Sequence, residues 1–227
     1  MALFSGIFFS LFIVLGFWQL DRASEKEVII AADETRRNQS PVSITDAPLG
    51  TGKLNGLPVL LNGQYETSRF FLLDNRVLGG KVGFELLLPF RLSSGQLVLV
   101  NRGFVVMGRT RDETPFIPEL KAVTVVEGNL YLGQRNRFSL RVDGSEETSW
   151  PRIVQDSDPE ILQKMLGENL YPHVVRLKFD DLNALPRYWP TTVMQPLKHE
   201  GYAFQWFAMA VAITLAFTFF SFRKLDD

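Results

Sequence analysis

The sequence contains no cysteine among its 227 residues. This absence excludes disulfide bonds, thiolate nucleophiles, iron–sulfur ligation, covalent c-type haem attachment and every zinc site that uses cysteine. It also disfavours a copper carrier, because Cu(I) prefers sulfur ligands and the five methionines are scattered along the chain. The chemistry open to this chain is therefore that of imidazole, oxygen donors and binding surfaces.

Recognisable catalytic signatures are also missing. The chain has only two histidines, His173 and His199, and no H-E-x-x-H, G-x-S-x-G, P-loop or G-x-G-x-x-G motif. Its formal net charge of -1 provides no basic patch for a nucleic acid. A membrane-linked hydrolase is thus the least favoured class of function. We predict a protein that is not an enzyme and has no nucleic-acid partner.

Two long apolar segments stand at positions 2–20 and 201–222, and neither contains a charged residue. At ~1.5 Å per residue, each helix would extend roughly 30 Å, the thickness of a bilayer core. The first segment lacks a basic start and a following A-x-A site, so we predict a retained span rather than a cleaved signal peptide. The sequence therefore predicts two transmembrane helices and a short tail at 223–227.

Charged residues beside the spans leave the orientation open. Arg22 and Lys26 follow the first span and would favour a cytoplasmic domain, whereas Arg223 and Lys224 follow the second span and favour a cytoplasmic C-terminus.

The segment between the spans divides into a helical linker and loop at 21–57 and a β-rich domain at 58–195. Ser24 to Glu27 has the spacing of a capping box and predicts the start of a short helix. A second helix is predicted from the N-cap Asp158 to Gly167. Extended runs are predicted at 59–65, 69–73, 84–92, 97–106, 123–132, 138–142, 152–155 and 171–179.

The predicted fold class is therefore a membrane α+β protein. Two transmembrane helices flank one mostly antiparallel β domain that contains one or two helices. A curled sheet and a small barrel both fit this pattern.

His199 precedes the second apolar segment and is the outstanding candidate ligand. In a helix that begins near Pro196, one face would carry this imidazole, the aromatic residues Tyr202 and Trp206, and two alanines. A neutral imidazole is a good axial ligand for haem iron, and flat rings beside small residues suit a porphyrin. The alternative is that the aromatic residues are interfacial anchors and the histidine is structural.

Arg102 interrupts a strongly apolar strand, Val98-Leu99-Val100-Asn101-Arg102-Gly103-Phe104-Val105. Its guanidinium could bind a carboxylate or a partner surface. The alternative is structural: Arg102 ends a strand with Gly103 as a bulge, and it pairs with an acid of its own domain.

Several short motifs, in order, resemble the surfeit locus protein 1 family, the assembly factors of haem–copper cytochrome c oxidase. The resemblance rests on Gly16-Phe17-Trp18-Gln19-Leu20-Asp21-Arg22 with Lys26, Gly63 with Tyr65, Gly79 with Gly83, Pro89, Val100-Asn101-Arg102-Gly103, Trp150-Pro151, and His199 with Tyr202-Ala203 and Gln205-Trp206-Phe207. The chain departs from the family where two asparagines often precede the histidine, since Leu197 and Lys198 stand there.

The resemblance implies a cytochrome c oxidase assembly factor that binds haem a and assists its insertion into oxidase subunit I. It implies His199 as the ligand of the haem iron, and the helical spacing above places Tyr202 and Trp206 beside the cofactor. Partner contacts are predicted at the motif residues, which are Trp18, Arg22, Arg102 and Gln205. The predicted partners are subunit I, the machinery of haem a synthesis, and membrane lipid.

The resemblance also implies a location in the bacterial inner membrane with both termini in the cytoplasm and the domain in the periplasm. In a eukaryote the location would be the mitochondrial inner membrane. The alternative function is a structural chaperone of subunit I that binds no haem. Such a chaperone would pack against its client through small residues of the second span, which are Ala203, Ala208, Ala210 and Ala212.

Overall fold

The structure is a computed structural model that describes residues 2–47, 54–110, 113–132 and 149–223. The predicted strand at 138–142 and most of the predicted tail lie outside these residues. The described residues form two compact units. One consists of the chain up to Asp33 together with the chain from Pro190 onward, and the other is Glu34–Trp189.

The elements follow the chain in this order: α1 (Ala2–Arg37), β1 (Val42–Ser43), a 3-10 turn (Ile44–Asp46), β2 (Pro58–Tyr65), β3 (Phe71–Leu78), β4 (Lys81–Leu92), β5 (Leu97–Val106), β6 (Val125–Tyr131), β7 (Arg152–Val154), α2 (Pro159–Leu166), β8 (Leu170–Leu177) and α3 (Pro196–Arg223).

Helices α1 and α3 are each long and apolar enough to cross a membrane, judged by length and composition. The 36 residues of α1 extend roughly 54 Å, which exceeds the thickness of a bilayer core. The prediction of a new helix start at Ser24 is wrong, because α1 continues through this position without a break. No glycine or proline stands between Gly16 and Arg37 to end the first helix, so the capping-box pattern has no free helix end to cap.

The β domain is a small barrel. One eight-stranded sheet has the order β1-β2-β6-β8-β5-β4-β3-β7 among the described residues, and a further pairing of β2 with β4 closes a ring of five strands. The pairs β1–β2, β3–β7 and β5–β8 are parallel, and the other pairs are antiparallel. The prediction of a mostly antiparallel domain is confirmed, and closure decides for the barrel over the open sheet.

Alternating apolar residues on the five ring strands fill the inside of the barrel. This core contains Val59, Leu61, Phe90, Leu92, Val98, Val100, Val126, Leu130, Tyr171, Val175 and Leu177, all buried. The opposite face of several of these strands packs on a second core around α2. Two sheet faces are therefore buried, which explains why β4 and β5 are apolar along most of their length.

The predicted helix after Asp158 is confirmed with its caps. The Asp158 carboxylate accepts a hydrogen bond of 2.9 Å from the Glu160 amide, Pro159 occupies the first turn, and Gly167 ends the helix in the left-handed region at φ 71°. Both predicted hairpin turns, at Gly79-Gly80 and at 93–96, are also present.

Strand β3 runs to Leu78, whereas the sequence predicts its end at Leu73. A register shift between Leu73 and Arg76, with Asn75 at φ 58°, breaks the alternation of apolar residues. Strand β1 lies in the predicted linker. The sequence does not predict it, because its two residues are too few to produce a pattern.

Candidate functional site

The candidate site is formed by α1 and α3, in the unit that contains both ends of the chain. Pro196 occupies the first position of α3, where its missing N–H costs nothing, and the Lys198 amide donates to the Gln195 carbonyl. His199 therefore lies in the first turn of α3, as predicted. Its imidazole is half-buried, since part of it faces α1 and part faces outward.

Gln19 of α1 holds this imidazole. The Gln19 Oε1 and the His199 Nδ1 are 2.7 Å apart, although 180 residues separate them in the sequence. The bond joins the glutamine of the first motif to the histidine of the last. Because a neutral imidazole has one N–H and one lone pair, the bond at Nδ1 decides which state the other nitrogen, Nε2, adopts.

Small buried residues on both helices bring them close enough for this contact. Gly16 and Ala23 lie one turn on either side of Gln19 on α1, and both are buried. On α3, Ala203 and Ala210 are each 1 % exposed. We call these four buried residues the seam, and small residues of this kind let apolar helices approach closely.

Aromatic rings extend the seam away from His199. The Trp206 ring lies 5.8 Å from Phe12 between centroids, and Phe207 packs edge-on against Phe17 at 5.4 Å. A Cβ at Gly16 would stand 2.5 Å from Cε1 of Phe207, so a larger residue here would require the Phe207 ring to shift.

The structure changes the predicted composition of the porphyrin-facing stripe. Ala203 and Ala210 are enclosed in the seam, so neither offers a surface to a cofactor or a partner. Trp206 is half-buried, whereas Tyr202 is 45 % exposed. The reason is that α1 covers part of the α3 face on which spacing alone places these five residues.

The other predicted contact residues of this unit lie on its outside. Trp18 and Gln205 are exposed, and the Arg22 guanidinium lies 5.8 Å from the centre of the Trp18 ring. Arg22 also forms an ion pair of 2.5 Å with Glu25 one turn later. Accessible side chains of this kind suit a partner surface, and their role remains a prediction.

Arg102 lies in the barrel unit and is 1 % exposed. Its Nε donates to the Asn183 carbonyl at 2.8 Å, and its Nη1 donates to the Pro118 carbonyl at 3.3 Å. Burial lowers the pKa of this guanidinium, although arginine remains charged at neutral pH. Its described partners are backbone carbonyls rather than the acid expected in the structural alternative.

Residues around Arg102 support that structural alternative in other respects. The register of β4 against β5 shifts at this point, from Leu86 opposite Gly103 to Leu87 opposite Asn101, so the expected bulge is present. The Asn183 amide in turn exchanges two hydrogen bonds with the backbone of Lys121. Arg102 thus joins two segments of its own unit, and a role in partner binding stays a prediction.

Sequence reasoning missed Gln19 as a site residue, although it quoted the motif that contains it. The only signal was the polar amide at the end of an apolar span. No local pattern reveals that this amide meets a histidine on the other long helix.

Replacing Gly16 by alanine tests the seam. We expect a net loss of stability of roughly 1 kcal/mol, because the new methyl group must displace the Phe207 ring while the gain in helix propensity offsets part of that cost. Thermal unfolding of the full chain in detergent, followed by circular dichroism, measures it. The matched control is Gly6→Ala on the same helix, where the added Cβ meets nothing within 4 Å and stability should not fall. Equal effects at the two glycines would contradict the close packing.

A family model described as the SURF1 family matches residues 6–211. The matched range begins in α1, includes the whole barrel unit, and ends in α3. It therefore includes Gln19, Arg102 and His199.

Individual relatives are distant but similar over most of the chain. A SURF1-like protein of Monosiga brevicollis is 22% identical over 223 residues, which covers 92% of this chain and 83% of the relative. A SURF1-like protein of Rickettsia bellii is 24% identical over 93% of this chain and 86% of its own length. Surfeit locus protein 1 of Gallus gallus is 24% identical over 87% of this chain and 68% of its own length.

Proposed function

Because this chain belongs to the SURF1 family, whose members are generally assembly factors of cytochrome oxidase, we propose that it assists cytochrome c oxidase assembly by binding haem a through His199. Haem a is the cargo, and subunit I of the oxidase is the recipient. The observation that carries the proposal is the His199 imidazole, held by a side chain of the other long helix and exposed on part of its surface.

The donor chemistry fits a haem iron. An imidazole is a common axial ligand, and ligating histidines typically use their second ring nitrogen for a hydrogen bond that fixes the ring. His199 makes such a bond to Gln19. The half-buried Trp206 and the more exposed Tyr202 lie on the same helix within two turns, where they offer aromatic surface beside the ligand. Lys198 is exposed next to His199 and provides a positive charge for an anionic propionate.

A carrier needs a site that releases its cargo. One imidazole at the start of a helix supplies one bond to the iron, and this bond can be exchanged for a ligand in subunit I without covalent chemistry by the carrier. Modest affinity suits this role, because a cargo that the carrier binds tightly would not pass to the recipient.

We further propose that α1 and α3 anchor the chain in the bacterial inner membrane, with the barrel in the periplasm, or in the mitochondrial inner membrane of a eukaryote. Their length and apolar composition support the anchoring. The family includes both bacterial and animal members.

The test is co-expression of the full chain with the enzymes of haem a synthesis, followed by pigment analysis of the purified protein. We expect wild type to carry haem a and His199→Ala to lose at least nine-tenths of it, since the axial ligand is gone. The matched control is His173→Ala, which removes the only other histidine and should leave the haem content unchanged.

Equal haem content in wild type and His199→Ala would overturn the ligand assignment. A colourless wild type, combined with normal oxidase assembly in His199→Ala cells, would favour the chaperone without haem. Substitutions of Trp206 would then impair assembly while the His199 variant did not.

A further inference from the structure

We propose that Gln19 is a positioning residue for His199, which holds the proton on Nδ1 and leaves Nε2 as the nitrogen that binds a metal. This inference rests on the proposed function for the identity of the metal, which is haem iron. The contact between Gln19 and His199 is independent of that function. The two side chains belong to one compact unit, and their polar atoms are 2.7 Å apart.

Gln19 reaches the ring because its neighbours along α1 are small. Gly16 and Ala23 stand three residues before and four residues after it, on the same face, and both are buried in the helix pair. Larger residues there would hold α3 too far away for an amide of this length. Gln19 itself is half-buried, so the hydrogen bond is partly shielded from water.

The atoms that meet determine the state of the ring. The amide oxygen of Gln19 faces Nδ1, and because an amide oxygen only accepts a hydrogen bond, this arrangement assigns the proton to Nδ1. A neutral imidazole then has its lone pair on Nε2, on the other side of the ring from Gln19. A hydrogen bond accepted from Nδ1–H also orients the ring.

The opposite arrangement makes a different prediction. If the amide turned over and its NH2 group donated to Nδ1, the proton would lie on Nε2 and would block it from a metal. The two arrangements differ in which ring nitrogen is protonated, and this difference is measurable without any haem.

The first experiment is nitrogen NMR of the haem-free full chain in detergent, with ¹⁵N-labelled histidine and at a pH where the imidazole is neutral. The chain has two histidines, so His199→Ala identifies the signals of His199. We expect wild type to show protonated Nδ1 and unprotonated Nε2. Gln19→Leu, which removes the acceptor, should shift the population toward protonated Nε2, and Gln19→Glu, which keeps an acceptor oxygen, should preserve the wild-type pattern.

The second experiment titrates the same proteins with haemin. We expect Gln19→Leu to weaken binding roughly 10- to 100-fold, the usual effect of losing the group that orients a ligating histidine. Gln19→Glu should retain most of the affinity. The control is Gln39→Leu, the same substitution at an exposed position just after α1, which should change neither the spectrum nor the affinity. A thermal unfolding curve for each variant separates a local effect from loss of the fold.

Protonated Nε2 in wild type, or identical nitrogen spectra in wild type and Gln19→Leu, would overturn the positioning role. That result is distinct from failure of the proposed function. If haemin does not bind wild type but Gln19 still controls the proton, the haem proposal fails and the positioning role stands. If haemin binding depends on His199 and is unchanged in Gln19→Leu, the positioning role fails alone.

Discussion

Replacing Gly63 by alanine is expected to prevent the barrel from closing. Gly63 lies at the pairing of β2 with β4, the contact that completes the five-stranded ring. A Cβ at this position would stand 1.9 Å from the Arg91 carbonyl oxygen and 2.9 Å from the Leu92 Cα. These atoms belong to backbone that also pairs with β5, so they cannot move aside as a side chain would.

The expected cost exceeds about 4 kcal/mol, which is exceptional for a single substitution and a large part of the roughly 5–15 kcal/mol that stabilises a typical domain. Strands β2 and β4 would separate, and the apolar interior would open to water at that edge. The full-length variant should therefore accumulate poorly, and its β domain should be cut rapidly by protease.

The control for this change is Gln64→Ala, at the next position of the same strand. Gln64 pairs with Arg91 but its side chain is exposed, so truncation leaves the backbone pairing intact. We expect wild-type levels and wild-type protease resistance. Normal accumulation of Gly63→Ala would show that the ring need not close as described.

Replacing Arg102 by methionine is expected to destabilise the barrel unit by about 3 kcal/mol or more, because the buried Asn183 carbonyl and the half-buried Pro118 carbonyl lose a charged donor. Methionine approximates the length of the side chain, so most of the loss is polar rather than a cavity. The segments that contain Pro118 and Asn183 should detach first. Hydrogen exchange of the full chain would detect this as faster exchange at the Leu185 amide, which donates to the Arg102 carbonyl at 2.7 Å.

A contrasting arginine provides the control. Arg91 pairs with Glu66 at 2.5 Å and with Glu168 at 2.6 Å, but its side chain is 36 % exposed. Exposed ion pairs contribute little, so Arg91→Met should cost much less than Arg102→Met. Equal losses would contradict the structural role of Arg102.

Arg102→Lys separates the two interpretations of this residue. Lysine keeps the charge but lacks the planar group that reaches both carbonyls, so we expect it to rescue stability only in part. A variant that folds normally but fails to support oxidase assembly would instead indicate that Arg102 contacts a partner.

The locations of the two long helices, the caps of α2 and the hairpin turns were predictable from the sequence, because each depends on residues close together in the chain. Asp158, Pro159 and Gly167 act on their own backbone, and the uncharged runs at both ends need no partner to be recognised. The capping-box prediction at Ser24 failed because it, too, used only residues close together in the chain. A local pattern says that a helix can begin there, but only the continuous chain shows that it has already begun.

The features of the candidate site also fall into those that depend on local sequence and those that depend on tertiary packing. His199 was identifiable as the only histidine at the edge of an apolar span, since a single residue type in a single place carries that signal. Its partner Gln19, the burial of Ala203 and Ala210, and the enclosure of Arg102 were decided by tertiary structure alone. These facts depend on which faces of distant segments meet. Helical periodicity lists the residues of a face, but the packing of the neighbouring helix determines whether that face is covered or free to bind a ligand.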